Sequence, residues 1–280
     1  MSLDPNAVGA SAEPQTVRWT AKDCAIYALG VGAGVDELAF TTDNTRGVQP
    51  RMLPTMPVVI GSAARALSLA GEIDWVRLVH AAQSVEVLSP LPIEGEAVAV
   101  ARIAEMWDKG KAALVVAENT ASAPDGTVLF RTRATLYIGG AGGWGGERGP
   151  AGAVEEAEPE GKPDETISYQ TRADQALIYR LSGDRNPLHS DAAFAAKAGF
   201  ERPILHGLCT FGFAGRAVLH TLAGRDPDRL RRLDARFAKP VYPGDTLHID
   251  LWNAPGGAQF RVRTGEDTVV LDRGLATISG

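Results

Sequence analysis

Apolar and polar residues alternate along much of this chain, in segments bounded by Gly, Pro or Asp. This period of two is typical of strands that bury one face. The alternating segments cover residues 97–106, 112–118, 128–138, 246–253, 259–264 and 268–278. They fall into two groups of three, so the pattern predicts two meanders of antiparallel strands.

An apolar stretch with helical spacing precedes each meander. One covers residues 62–70 and follows Pro57-Val-Val-Ile-Gly61, and the other covers 208–222 and follows Pro203-Ile-Leu-His-Gly207. These stretches lie 146 residues apart. The strand-like runs that follow them cover residues 84–95 and 233–244 and lie 149 residues apart. Chance similarity is the competing explanation, but the shared order of helix, turn and strands favours two repeats. A helix packed on one face of each curved antiparallel sheet would give an α+β architecture.

A segment rich in Gly, Glu and Pro separates the two groups. Residues 139–166 contain too few apolar side chains to bury an element of their own. We therefore predict an N-terminal repeat at 1–138, a linker at 139–166 and a C-terminal repeat at 167–280.

Composition narrows the class of protein. Hydrophobic residues make up 45% of the 280 residues, which is enough for a core without metals or disulfides. Cys24 and Cys209 lie far apart without neighbouring Cys or His ligands, so neither a disulfide nor a metal site is expected. A net charge of −6 does not indicate a basic surface for binding nucleic acid. No apolar run is long enough to span a membrane. With no targeting signal evident, a cytoplasmic location is the default expectation.

The segment most suggestive of chemistry covers residues 181–191 and is called here the Asp/His loop. Gly183 allows a sharp bend and Pro187 restricts the backbone, so the side chains of Asp184 and His189 could converge. An ordinary turn with an aspartate cap is the alternative. The first-half counterpart, residues 37–46, has acids but neither an Asn-Pro pair nor a histidine. We therefore expect catalysis in the second half, with the first half serving as structure or as a wall of the substrate site.

A family resemblance rests on two neighbouring segments. They are Tyr179-Arg-Leu-Ser-Gly-Asp-Arg-Asn-Pro-Leu-His-Ser-Asp191 and Ala198-Gly-Phe-Glu-Arg-Pro-Ile-Leu-His-Gly-Leu-Cys-Thr-Phe-Gly212. Together they resemble the R-specific enoyl-CoA hydratases known as hydratase 2, of the MaoC-like group. The resemblance implies a double hot-dog fold, with two repeats that each wrap an antiparallel sheet around a long central helix. It also implies one active site in the second repeat and a homodimer.

The activity implied by this resemblance is addition of water to trans-2-enoyl-CoA, which gives (3R)-3-hydroxyacyl-CoA. No metal or redox cofactor is implied, because coenzyme A is part of the substrate. Asp184 and His189 match the catalytic pair of the family. We assign His189 to draw a proton from water and Asp184 to protonate C2, and the reverse assignment stays open. A protonated Asp184 would need apolar surroundings, which Leu181, Leu188 and Phe194 could provide.

Gly207 begins the second helical stretch and is the candidate for the oxyanion hole. Amide N–H groups at a helix start are free and lie at the positive end of the helix dipole, so they can stabilise an enolate oxygen. Close packing between helix and sheet is the competing explanation for this glycine.

Four further residues are weaker candidates for substrate binding. Asn186 either orders the loop or positions the water, and His206 either contacts substrate or satisfies nearby backbone groups. Arg236 and Lys239 could bind the phosphates of coenzyme A, although strand alternation directs at most one of them to a given ligand. The remaining histidines are interpreted as structural, namely His80, His220 and His248.

Two alternatives remain open. One is a hydratase or dehydratase for a branched, dicarboxylic or steroid-type acyl-CoA. The other is a noncatalytic acyl-thioester-binding or scaffold protein, against which the intact Asp184 and His189 argue. The acyl chain length depends on how much room the central helix of the first half leaves.

Overall fold

The computed structural model of the protein describes residues 3–75, 77–150, 159 and 161–280. Within these residues the strands form one antiparallel sheet of ten. The strands are β1 Gln15–Trp19, β2 Leu78–Val87, β3 Gly95–Asp108, β4 Ala112–Ser122, β5 Val128–Gly139, β6 Glu165–Gln170, β7 Leu230–Phe237, β8 Thr246–Ala254, β9 Gly257–Thr264 and β10 Thr268–Ile278. Each of the six predicted alternating strands is found, usually a few residues longer. Strands β2 and β7 overlap the strand-like runs at residues 84–95 and 233–244, and the two edge strands β1 and β6 are additional.

A central seam joins the two halves of the sheet. Strand β2 pairs with β7 from Ala82 opposite Arg236 to Glu86 opposite Arg232. From this seam outward the first half has the order β2-β5-β4-β3-β1, and the second half has β7-β10-β9-β8-β6. The two orders correspond strand by strand, which confirms the predicted double hot-dog architecture of two repeats.

The helices differ between the halves. The α-helices are α1 Ala21–Gly30, α2 Leu38–Thr41, α3 Gln175–Tyr179, α4 Ala192–Lys197 and α5 Gly207–Thr221, and the 3₁₀ helices are Pro5–Ala7, Met56–Val59, Ala63–Leu69, Arg180–Ser182, Pro187–His189 and Pro227–Arg229. Helix α5 is the central helix of the second half, and every residue from 209 to 219 is buried. A helix buried on all sides needs apolar residues around its whole circumference. None of the helices in the described residues is both long and apolar enough to cross a membrane.

The predicted long helix of the first half is wrong. Residues 62–70 instead contain a seven-residue 3₁₀ helix, Ala63–Leu69. Gly61 and Gly71, both at positive φ, bound this segment. So short a segment is marginal as an α-helix, because few hydrogen bonds offset the cost of nucleation.

The two cores reflect this difference. The larger core surrounds α5 and contains large side chains from both halves, including Tyr27, Phe130, Phe211 and Phe260. The smaller core lies under the 3₁₀ helix Ala63–Leu69 and consists mostly of alanines with a few aliphatic residues. Small side chains let the short helix pack closely on the sheet without a long apolar face.

A buried ion pair links the halves. Arg216 of α5 donates from Nε and Nη2 to the carboxylate of Glu37, and from Nη1 to the carbonyl of Val31 at 2.9 Å. His220 Nε2 lies 2.8 Å from the same carboxylate. Burial alone would raise the pKa of Glu37, but the hydrogen bonds and charges of His220 and Arg216 outweigh burial and lower the pKa to about 2. The carboxylate of the first half is therefore ionised against the central helix of the second.

The start of the predicted linker folds back on β3. The carboxylate of Asp108 accepts hydrogen bonds from the N–H groups of Gly143, Gly110 and Gly145 at 2.8, 2.7 and 2.8 Å. These bonds lower the pKa of Asp108. Residues 151–158 and 160 of the predicted linker lie outside the described residues.

Candidate active site

The Asp/His loop is ordered by its own side chains. Gly183 takes φ +125° and ends the 3₁₀ helix Arg180–Ser182, a conformation that strongly favours glycine. The Asp184 carboxylate accepts the Asn186 N–H at 3.1 Å. Asn186 Oδ1 in turn accepts the Leu188 N–H at 3.0 Å and caps the 3₁₀ helix Pro187–His189. Of the two roles predicted for Asn186, this bond supports ordering of the loop.

His189 has one ring nitrogen engaged and one available. Its Nδ1 lies 2.8 Å from the carbonyl of Ile204, and because a carbonyl only accepts, Nδ1 carries the hydrogen. That tautomer leaves a lone pair on Nε2. Burial lowers the pKa of His189, although the bond to Ile204 and the charge of Asp184 oppose this effect. A buried neutral imidazole with a free Nε2 can accept a proton.

His206 lies directly against this imidazole. Its ring stacks on that of His189, with centroids 3.7 Å apart and an interplanar angle of 26°. Its Nε2 donates to the backbone carbonyl of Asp184 at 3.1 Å. The structure thus brings His206 to the Asp/His loop, through the backbone contact that was one of its two predicted roles.

Asp184 itself is exposed, as are Leu181 and Phe194, at 58% and 43%. The expected apolar enclosure of this carboxyl is therefore wrong for the described residues. Leu181 and Phe194 lie near Asp184 in sequence, but their side chains are exposed and do not enclose it.

Asp184, His189 and His206 each offer one atom that could bind a metal ion, and these atoms lie within 4.8 Å of one another. Two imidazoles and a carboxylate are donors that suit zinc. One nitrogen of each ring is already engaged, because His189 Nδ1 and His206 Nε2 bond backbone carbonyls. His189 Nε2 and His206 Nδ1 are the ring nitrogens left for a ligand or a proton.

Gly207 begins α5 immediately after His206, so its amide N–H has no acceptor within the helix. A Cβ at this position would lie 2.9 Å from the ring of Phe237. Close packing therefore accounts for the glycine by itself. The exposed position of Gly207 also leaves its amide accessible to a ligand.

The two basic candidates have different surroundings. Arg236 forms a two-pronged ion pair with Asp272, its direct partner across β7 and β10. Its guanidinium is thus already held by a carboxylate. Lys239 is exposed just beyond the end of β7, two residues after Phe237, which contacts Gly207. Of the two, Lys239 is the more exposed.

His80 was interpreted as structural, yet it lies near this site. Its ring is 4.8 Å from that of Phe237, and its Nε2 is buried without a partner among the described residues. Burial lowers its pKa to about 4, and the charge of Asp184 opposes this shift. Nothing in the sequence pointed to His80, because the β2–β7 pairing alone brings it to the second half.

A cavity of about 390 Å³ opens beside the Asp/His loop. Leu181 and Ser182 form one wall, and the others come from β1, α1 and the region from Met56 to Gly61. It therefore lies between the start of the loop and the first half, and its lining does not include Asp184, His189 or Gly207.

The chain matches two family models that divide it between the repeats. A MaoC-like domain matches residues 154–274, and the MFE-2 hydratase 2 N-terminal domain matches residues 18–140. These matches agree with the resemblance inferred from residues 179–212.

Whole-chain relatives give the same result. The 3-hydroxyacyl-thioester dehydratase Y of Mycobacterium tuberculosis is 45% identical, with 98% of each chain covered. The probable enoyl-CoA hydratase 2 of Dictyostelium discoideum is 36% identical, covering 95% of this chain and 93% of its own length. A MaoC-like dehydratase structure from Phytophthora capsici aligns over 99% of this chain and 98% of that chain, with a TM-score of 0.89 and 27% identity. The chain therefore belongs to the MaoC-like dehydratase and hydratase 2 family.

Proposed function

We propose that this protein is a hydro-lyase that adds water to trans-2-enoyl-CoA to give (3R)-3-hydroxyacyl-CoA, and catalyses the reverse dehydration. The observation that carries the proposal is the pairing of a neutral His189, with its Nε2 free, and Asp184 beside the start of α5. The names of the relatives support the same chemistry.

In this mechanism, His189 Nε2 accepts a proton from water while the oxygen bonds to C3 of the enoyl thioester. The Gly207 N–H stabilises the enolate oxygen that forms. Asp184 then delivers a proton to C2, so both additions come from one face. Transfer of the proton from His189 back to Asp184 restores the starting state, and the bound acyl-CoA supplies the enclosure that a protonated Asp184 needs.

The cavity beside Leu181 and Ser182 is the proposed place for the acyl chain. Its lining in the first half includes Met56 and Val59, shortly before the 3₁₀ helix Ala63–Leu69. Val17, Ile26 and Val59 contribute apolar side chains to this lining. We therefore expect chains longer than crotonyl to be substrates.

The test is an assay of crotonyl-CoA hydration. The reaction is monitored through the loss of the ultraviolet absorbance of the conjugated thioester. We expect His189→Gln to lower kcat/KM by about 10³-fold, because the substitution removes the base. Chiral analysis of the product should give the 3R isomer. Full activity of His189→Gln would contradict the mechanism, and an S product would contradict the proposed stereochemistry.

A homodimer, which the family resemblance implies, and a cytoplasmic location both stay predictions. Sedimentation velocity of the purified chain measures the first. Microscopy of a tagged chain in its native cell measures the second.

A further inference from the structure

His206 contacts more of the proposed site than any role assigned to it requires. It bonds the Asp184 carbonyl, stacks on the His189 ring and directly precedes Gly207. It is only 1% exposed. The proposed steps use all three of these neighbours but not His206 itself.

We propose that His206 is a positioning residue with two separable functions. Its Nε2–H holds the backbone of Asp184, and its ring forms an uncharged wall that keeps His189 neutral and oriented toward the water. This inference rests on the proposed hydratase function.

The hydrogen bond fixes the tautomer of His206. Because the Asp184 carbonyl only accepts, Nε2 carries the hydrogen and Nδ1 has the lone pair. That Nδ1 is buried and has no partner among the described residues. The side chain therefore makes one hydrogen bond and otherwise acts through the faces of its ring.

The faces of the His206 ring pack against two other rings, which shields both imidazoles from solvent. One contact is the stack on His189, and another is the ring of Tyr179 in α3, whose centroid lies 4.9 Å away. A protonated His206 would place a positive charge directly on the His189 ring. Burial, and then the proximity of His189, lower the pKa of His206 to about 4, although Asp184 opposes this effect. Both rings are therefore neutral near pH 7.

The charged and titratable groups around the pair come from several elements. They are Asp184 in the Asp/His loop, Arg180 in the 3₁₀ helix before it, Tyr179 in α3 and His80 of β2, which interacts with Asp184. The Asp184 carboxylate and the hydrogen bonds to the carbonyls of Ile204 and Asp184 favour protonation of the imidazoles. Burial opposes protonation of both rings, and the charges of His189 and Arg180 also oppose it for His206.

Two substitutions separate the functions. His206→Gln can keep an N–H donor near the place of Nε2 but removes the ring, whereas His206→Phe keeps a ring of similar size and removes the donor. We expect His206→Gln to move the acid limb of the kcat/KM profile to higher pH, because water reaches His189 and its pKa rises toward the ordinary value. We expect His206→Phe to keep the acid limb in place and lower kcat on the order of tenfold, because Asp184 is less well positioned.

His248→Gln is the matched control. The side chain of His248 is hydrogen-bonded to Ser168, its partner across β6 and β8. The substitution His248→Gln should therefore leave both the pH profile and kcat unchanged. If the wild type hydrates no enoyl-CoA, the proposed function fails. If the wild type is active but His206→Gln and His206→Phe share its acid limb and kcat, the inference about His206 is wrong.

A measurement on the wild type covers the case in which a variant does not fold. Nuclear magnetic resonance titration of ¹³C-labelled histidine rings should show His189 and His206 neutral at pH 7, with both pKa values below the ordinary range for histidine. A ring of either residue protonated at pH 7 would overturn the proposal.

Discussion

The two halves of the chain pair their strands in the same order but place different structures across the sheet. In the second half, α5 runs for 15 residues and is buried through its middle. In the first half, the corresponding segment is a seven-residue 3₁₀ helix over a core of mostly alanines. The second half also contains the Asp/His loop, and the cavity extends into the first half.

The difference shows how one repeat can serve chemistry and the other can serve binding. The start of α5 places His206 beside Asp184 and His189, so the long helix positions the groups of the proposed mechanism. The first-half lining of the cavity comes from β1, α1 and residues 56–61, which precede the 3₁₀ helix Ala63–Leu69. The first half therefore supplies most of the cavity wall.

Comparing two matched aspartates tests this division most strongly. Asp184 in the second half and Asp125 in the first are exposed, and each carboxylate accepts the N–H of the residue two positions later. We expect Asp184→Asn to lower kcat for crotonyl-CoA hydration by about 10³-fold, because an amide cannot protonate C2. Asp125→Asn should change kcat by less than about twofold, since it only caps a turn. Equal effects would remove the distinction between the halves.

The buried pair between the halves should control stability. Replacing Arg216 by Met leaves Glu37 buried without its main partner, and removing one member of such a pair typically costs about 3–5 kcal/mol. Arg172→Met is the matched control, because its pair with Asp174 is exposed. Urea unfolding measures both free energies. Unchanged unfolding of Arg216→Met would show that this ion pair does not contribute to holding the halves together.

The same ion pair predicts that the free energy of unfolding depends on pH. This effect should be smaller than that of Arg216→Met and should change gradually with pH. The pKa of Glu37 is lowered from 4.5 to about 2 in the folded chain. A carboxyl group whose pKa is lowered by folding stabilises the folded state at pH values above its pKa in the unfolded chain. This stabilisation is lost as pH falls from 4.5 toward 2. The difference in free energy of unfolding between the wild type and Glu37→Gln should therefore narrow across that range. A difference that stays constant with pH would contradict the lowered pKa.

The smallest expected effect concerns the cavity of the first half. Val59 lines this cavity, and a tryptophan there would shorten it. We expect Val59→Trp to lower kcat/KM for a long-chain enoyl-CoA by about tenfold and to leave crotonyl-CoA within about twofold. Val35→Trp serves as the control, because Val35 is 84% exposed and does not line the cavity. An equal loss for short and long chains would place the acyl chain elsewhere.

Local patterns predicted much of the sheet. Alternation located six strands, because most of them bury one face more than the other. Strand β4 is the exception, since both of its faces are buried from residue 112 to 119. The edge strands β1 and β6 were not predicted, because most of their residues are exposed or half-buried and give no clear alternation. The predicted helix at 62–70 was wrong because helical spacing of alanines does not distinguish an α-helix from a 3₁₀ helix.

The sequence by itself determined the two repeats and the pairing of Asp184 with His189 in one loop, because strand alternation and turn geometry depend on neighbouring residues. Only the tertiary structure decided that Ile204 orients His189 and that His206 stacks on it. It alone decided that Glu37 meets Arg216 across 179 positions. Such contacts arise when packing brings distant segments together, and no local spacing encodes which segments will meet.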